Sequence, residues 1–119
     1  MKSIEQRTIQ AFEFDVPSPS GKENAMIIVE WSRDKLRART KAELGYCNYD
    51  VWIRPVEGAI TYYAFSDTAN LPGVPPAMLP DFLAAHITSE PTNQILQQKI
   101  LEAEALHFRL EDQEGRWLR

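Results

Sequence analysis

Two histidines, His86 and His107, and one cysteine, Cys47, are the side chains here best suited to proton transfer, thiolate attack or metal ligation near neutral pH. Together they would make a nominal three-ligand zinc set. They are spread singly along the chain, with none of the paired C-x2-C or H-x3-H spacing that preorganises a metal. No metal and no cofactor is expected, and the two histidines read as structural or half-buried. A nucleophilic Cys47 would need a base or a helix N-terminus beside it, and no sequence neighbour supplies one. Its alternation with Tyr49, Val51 and Ile53 puts it on a core face as an inert thiol.

Carboxylates are plentiful, but general acid–base work needs two of them in one cleft. Asp50, near Trp52, has the most interesting setting; the plainer reading pairs it with Arg54 or with water. The run Ser20-Gly21-Lys22-Glu23 superficially resembles a phosphate loop. It lacks the first glycine of G-x-x-x-x-G-K-[ST], places Glu where Ser or Thr would hold magnesium, and follows two prolines. No nucleophile elbow, H-E-x-x-H helix, EF-hand loop or dinucleotide fingerprint occurs. The residues name no catalytic constellation.

Arg33, Lys35, Arg37, Arg39 and Lys41 recur at every second position. On a strand they would line one face at intervals of roughly 6.8 Å, comparable with successive phosphates of an extended single strand. Shared with Trp52, Tyr63 and Phe65, that face would combine cations with stacking rings, as single-stranded nucleic-acid binders do. The plainer reading is a solvated strand whose charges discourage edge-to-edge pairing, or a site for an acidic protein. The formal net charge of −4 favours the plainer one.

The elements that must position these residues follow from patterning. Over residues 8–16, Gln10, Phe12, Phe14 and Val16 share a face opposite Glu13 and Asp15, which is the period of a half-buried strand. A polar, Pro- and Ser-rich loop over 17–24 leads to an apolar, β-branched run, 25–31, that reads as a central strand. Residues 34–43 are ambiguous, with alternation favouring a strand and composition a helix; the strand is preferred. Residues 49–56 and 59–66 form a hairpin about Glu57-Gly58. A two-residue loop would pair Ile53 with Tyr62, Trp52 with Tyr63 and Val51 with Ala64. One face would then carry Tyr49, Val51, Ile53, Ile60, Tyr62 and Ala64, the other Asp50, Trp52, Arg54, Thr61, Tyr63 and Phe65. Pro55 marks an edge strand or a strand end.

A Pro-rich connector, 67–80, precedes a short helix over 81–87 with Pro80 in its first turn. A long helix follows, capped by Ser89 or Thr92, persisting to about residue 113 and stopped by Gly115. Ile95, Leu96, Ile100, Ala103, Leu106, His107 and Leu110 form its sheet-facing stripe. Leu101, Ala105 and Phe108 form a second seam, buried within the chain or available for self-association.

With 119 residues, 44% hydrophobic and 25% charged, the chain has the size and composition of one globular domain. There is no export-type apolar leader and no run of about 18 apolar residues, and a lone cysteine suits a reducing compartment, so a cytoplasmic protein off the membrane is expected. These readings predict a single α+β domain, 1–119, strand-rich over 5–66, with the connector at 67–80 and helices over 81–114. Its antiparallel sheet would have four to five strands, followed by a short helix and a long C-terminal helix packed on the sheet. The expected function is a small non-enzymatic protein-binding module: an inhibitor, immunity-type protein, adaptor or subunit of an assembly. It would engage a protein partner or a second copy through Trp52, Tyr63, Phe65, Leu101 and Phe108. The alternative is single-stranded nucleic-acid or phosphate-ligand binding through the 33–41 basic strand, and a scattered enzyme site around Asp50 comes third.

Overall fold

The computed structural model describes residues 10–21, 23–33 and 45–117, the stretch from 110 onward as backbone. Four strands, β1 (Gln10–Val16), β2 (Ala25–Ser32), β3 (Tyr46–Arg54) and β4 (Tyr62–Asn70), form one antiparallel sheet in the order β1-β2-β3-β4. Two helices follow, α1 (Leu79–Ile87) and α2 (Thr92–Trp117), preceded by a 3-10 turn, Pro76–Met78. The expected α+β architecture is therefore present. The 34–43 segment lies outside the described residues.

Alternation makes the sheet two-sided. Ala25, Ile27, Val29 and Trp31 of β2 and Cys47, Tyr49, Val51 and Ile53 of β3 point to one face, each 5% exposed or less. Leu79, Leu83 and Ile87 of α1 and Leu96, Ile100 and Ala103 of α2 close over that face. Each such aliphatic side chain withdrawn from water contributes about 1.5–3 kcal/mol, so this one layer carries the stability of the domain.

The hairpin departs from its expected register in one place. A β-turn closes it, with the Ala59 amide donating to the Val56 carbonyl at 3.1 Å and Gly58 at φ 81°. Trp52 pairs with Tyr63 and Ile53 with Tyr62, as a Glu57-Gly58 loop requires. A register shift between Val51 and Trp52 then pairs Val51 with Phe65 in place of Ala64. Phe65 is thereby turned to the helix-covered side, where its ring meets Tyr49 edge-on at 6.4 Å. Ile60, expected in the core, precedes β4 and is 59% exposed. Pro55 lies just past the end of β3, which is an inner strand.

The long helix also differs in detail. Its buried stripe is Thr92, Leu96, Ile100, Ala103 and Glu104, while Ile95 and Leu106 are 45% and 42% exposed. Glu104 is tolerated because the Ser18 hydroxyl donates to its Oε2 at 2.5 Å, tying α2 to the β1–β2 loop. The helix continues through Gly115 to Trp117, so that glycine does not stop it.

A knot of backbone contacts joins the far ends of β2, β3 and β4. The Arg33 guanidinium donates to the carbonyls of Val74 (3.1 Å), Leu71 (2.9 Å) and Gly45 (3.4 Å), and the Leu71 amide donates back to Gly45 at 2.7 Å. A Cβ on Gly45 would lie 2.7 Å from the Pro72 backbone, so only glycine lets the strands approach this closely. Gly45→Ala is expected to lower stability by roughly 1–3 kcal/mol, read as a reduced urea midpoint at unchanged m-value.

Tyr49 yields a second prediction. It is 2% exposed, and its hydroxyl has no partner of regular hydrogen-bond geometry, with Thr92 exerting only a loose pull. Burial, reinforced by Asp67, pushes its pKa from 10.0 up to about 12. The neutral phenol is favoured in the fold, so this contribution is complete below about pH 10, where the unfolded chain also keeps its proton, and is lost as pH rises towards 12. Tyr49→Phe should keep or raise stability at pH 7 by up to about 1 kcal/mol, because it removes an orphaned hydroxyl. It should also move the alkaline unfolding midpoint, followed by circular dichroism, to higher pH.

Candidate functional site: the open face of the sheet

The side chains between those of the core point the other way, and none of them is buried. The strand register sets them in rows across the sheet. Glu13, Ile28, Trp52 and Tyr63 form a central row, with Asp15, Met26 and Arg54 in the row on the hairpin-turn side. On the other side come Ala11, Glu30, Asp50 and Ser66, then Ser32, Asn48 and Thr68.

Trp52 and Tyr63 are held in place. Their rings meet edge-to-face, centroids 5.2 Å apart at 73°. The Trp52 indole N–H donates to Glu30 Oε1 at 3.2 Å. The Tyr63 hydroxyl and the Ser66 hydroxyl share a hydrogen bond of 2.6 Å, and Ser66 donates in turn to Asp50 Oδ1. The Thr68 hydroxyl donates to Asn48 Oδ1 at 2.7 Å. The bonds to Glu30 and Ser66, with the ring contact, hold the two aromatic side chains in place. Tyr63 nonetheless remains 54% exposed.

The aromatic row is a ridge between two shallow grooves. One, of about 460 Å³, is lined by Glu30, Ser32, Asn48, Asp50, Ser66 and Thr68, together with Trp31, Tyr49 and Asp67. The other, of about 600 Å³, lies towards the hairpin turns and includes Asp15, Glu23, Met26, Arg54 and Glu57. Both are rich in carboxylates, and neither Glu30 nor Asp50 has an ion-pair partner among the described residues. These two sit directly opposite each other on β2 and β3, an arrangement of like charges that opposes strand pairing.

Of the residues singled out from sequence, Trp52 and Tyr63 do meet on this face, with Asp50 one row away. Phe65 does not join them: the register shift sends it to the core side. Leu101 and Phe108 lie on α2, 40% and 38% exposed, with the Phe108 ring 5.5 Å from His107, and so belong to a separate surface. Arg33 is occupied with the carbonyls of the connector; Lys35, Arg37, Arg39 and Lys41 lie outside the described residues. His86 packs edge-on against Tyr49 at 6.0 Å. Cys47 is fully buried, and burial pushes its thiol pKa up against a weaker pull from Arg33. Among the described residues no three His, Cys, Asp or Glu side chains are placed to hold a metal, and no helix is long and apolar enough to cross a membrane.

Sequence reading missed Glu30, Ile28 and Ser66. The apolar run of β2 suggested burial on both faces, yet Glu30 and Ser32, two residues apart, already marked a wet face. Compared with known proteins, the chain matches no protein-family model, no curated protein and no solved structure.

Asp50→Asn keeps the acceptor for Ser66 while removing one of the two opposed charges. It should stabilise the fold by about 0.5 kcal/mol at low salt, with the gain shrinking in a thermal melt as ionic strength rises.

Proposed function

We propose that this domain is a small non-enzymatic protein-binding module, of the inhibitor, immunity, adaptor or assembly-subunit kind, that receives its partner on the open face of the sheet. The observation that carries the reading is the Trp52–Tyr63 pair: two aromatic rings in edge-to-face contact, each held by a hydrogen bond, on a face that none of the described helices covers. Rigid aromatics that present much area at little entropic cost are the usual anchors of protein interfaces. The polar groups around them supply the hydrogen-bonding rim such interfaces have. Their mutual satisfaction also argues against a catalytic reading of Asp50, which serves as acceptor in a cross-strand bond.

Nucleic-acid binding finds less support. A face for single strands must offer cations beside its rings, and the described face offers Glu13, Asp15, Glu30 and Asp50 against Arg54 alone.

Tyr63→Arg tests the proposal, because an exposed strand position should accept the change with less than about 1 kcal/mol lost. Wild type and variant are compared in affinity capture from nuclease-treated host lysate. A stoichiometric protein retained by the wild type and lost from the folded variant is the expected result. A partner held equally by both would move the docking surface elsewhere.

A further inference from the structure

The open face also specifies what kind of partner it fits. Along β2, Met26, Ile28 and Glu30 bring the hairpin-side groove, the aromatic ridge and the Glu30/Asp50 groove into line. The two grooves are four residues apart, about 13 Å at strand rise, with the ridge midway. Among the described residues each groove is acidic: Glu30 and Asp50 in one, and Asp15, Glu23 and Glu57 against Arg54 in the other. The Glu30–Asp50 opposition works against the isolated fold and would be relieved by a cation set between the two carboxylates.

Resting on the docking reading above, we propose that the partner presents a basic segment in which Lys or Arg side chains flank an apolar one. The apolar side chain meets Ile28, Trp52 and Tyr63, while the cations enter the grooves on either side. An extended segment with cations at positions i and i+4 and the apolar residue at i+2 spans the required distance of about 13 Å. A guanidinium entering the Glu30/Asp50 groove also passes beside the Trp52 ring, which favours arginine through its planar, cation–π-capable head. Long-range attraction between such a segment and this face would speed encounter and weaken with salt.

The test is an NMR titration of the isotope-labelled chain with a capped peptide, Gly-Arg-Ser-Leu-Ser-Arg-Gly. Controls carry Glu for both Arg, or Ser for Leu. The expected result is shifts concentrated at Met26, Ile28, Glu30, Asp50, Trp52 and Tyr63. Affinity should fall about threefold or more between low and physiological salt, and the Glu peptide should cause no shifts. The double variant Glu30→Gln/Asp50→Asn should bind about tenfold more weakly while melting roughly 2–4 °C higher, a pairing that a merely structural role for the two carboxylates would not give.

Equal binding of the Glu peptide, or undiminished binding by the double variant, would overturn the basic-partner inference. The docking face would then still stand on the Tyr63→Arg comparison. Shifts located away from this face, an absence of binding, or oligothymidine perturbing these same residues would overturn the inference too. Equal retention of the partner by wild type and Tyr63→Arg would instead strike the docking reading itself, so the two failures are distinguishable.

Discussion

A four-stranded sheet has two faces, and the helices of this chain close over one of them. That constraint organises the rest of the molecule. On the covered side the positions beneath the helices are apolar and sized to their neighbours, as Ile27, Val29, Val51 and Ile53 are beneath Leu83, Leu96 and Ile100. On the other side the side chains stay in contact with water and stabilise the sheet by pairing across strands, through rings and hydrogen bonds in place of burial. The candidate site is this second face. Its residues are ordered by the sheet that the core holds rigid, which gives the Trp52–Tyr63 pair its preorganisation.

One inserted residue decides which aromatics belong to which side. At the shift between Val51 and Trp52 the ladder absorbs Ala64, and every β4 side chain beyond it changes its partner by one position. Phe65 is thereby committed to the interior, where it shares Tyr49 with His86, and Ser66 takes its place on the open face. The substitution matters chemically. A hydroxyl next to Tyr63 and Asp50 completes a hydrogen-bonded chain that a third ring could not have made.

Several residues with the makings of chemistry are occupied in holding the chain together. Arg33 satisfies connector carbonyls that would otherwise be left at the sheet's end, Ser18 meets the buried Glu104 carboxylate, and Cys47 and Tyr49 fill the core. What remains unspent is charge on the open face. Glu30 and Asp50 each accept a hydrogen bond, from Trp52 and from Ser66, yet strand register sets their like charges directly opposite one another, which opposes strand pairing.

The sequence by itself determined the fold class, because periodicity is a local property. Strict alternation placed Phe12, Phe14, Val51 and Ile53 on the core side, Pro80 announced the short helix, and Glu57-Gly58 placed the hairpin turn and with it the Trp52–Tyr63 contact. What lay beyond it were decisions made between distant segments. A bulge costs the local pattern nothing visible, so the fate of Phe65 could be read only from the paired strand. The burial of Glu104 depends on Ser18 arriving from the other end of the chain, and the need for glycine at position 45 depends on the Pro72 backbone lying against it. The opposition of Glu30 and Asp50, on which the character of the site turns, likewise exists only once β2 and β3 are in register. Alternation fixes which way a side chain points, whereas the neighbour it meets there is set by the packing of the whole domain.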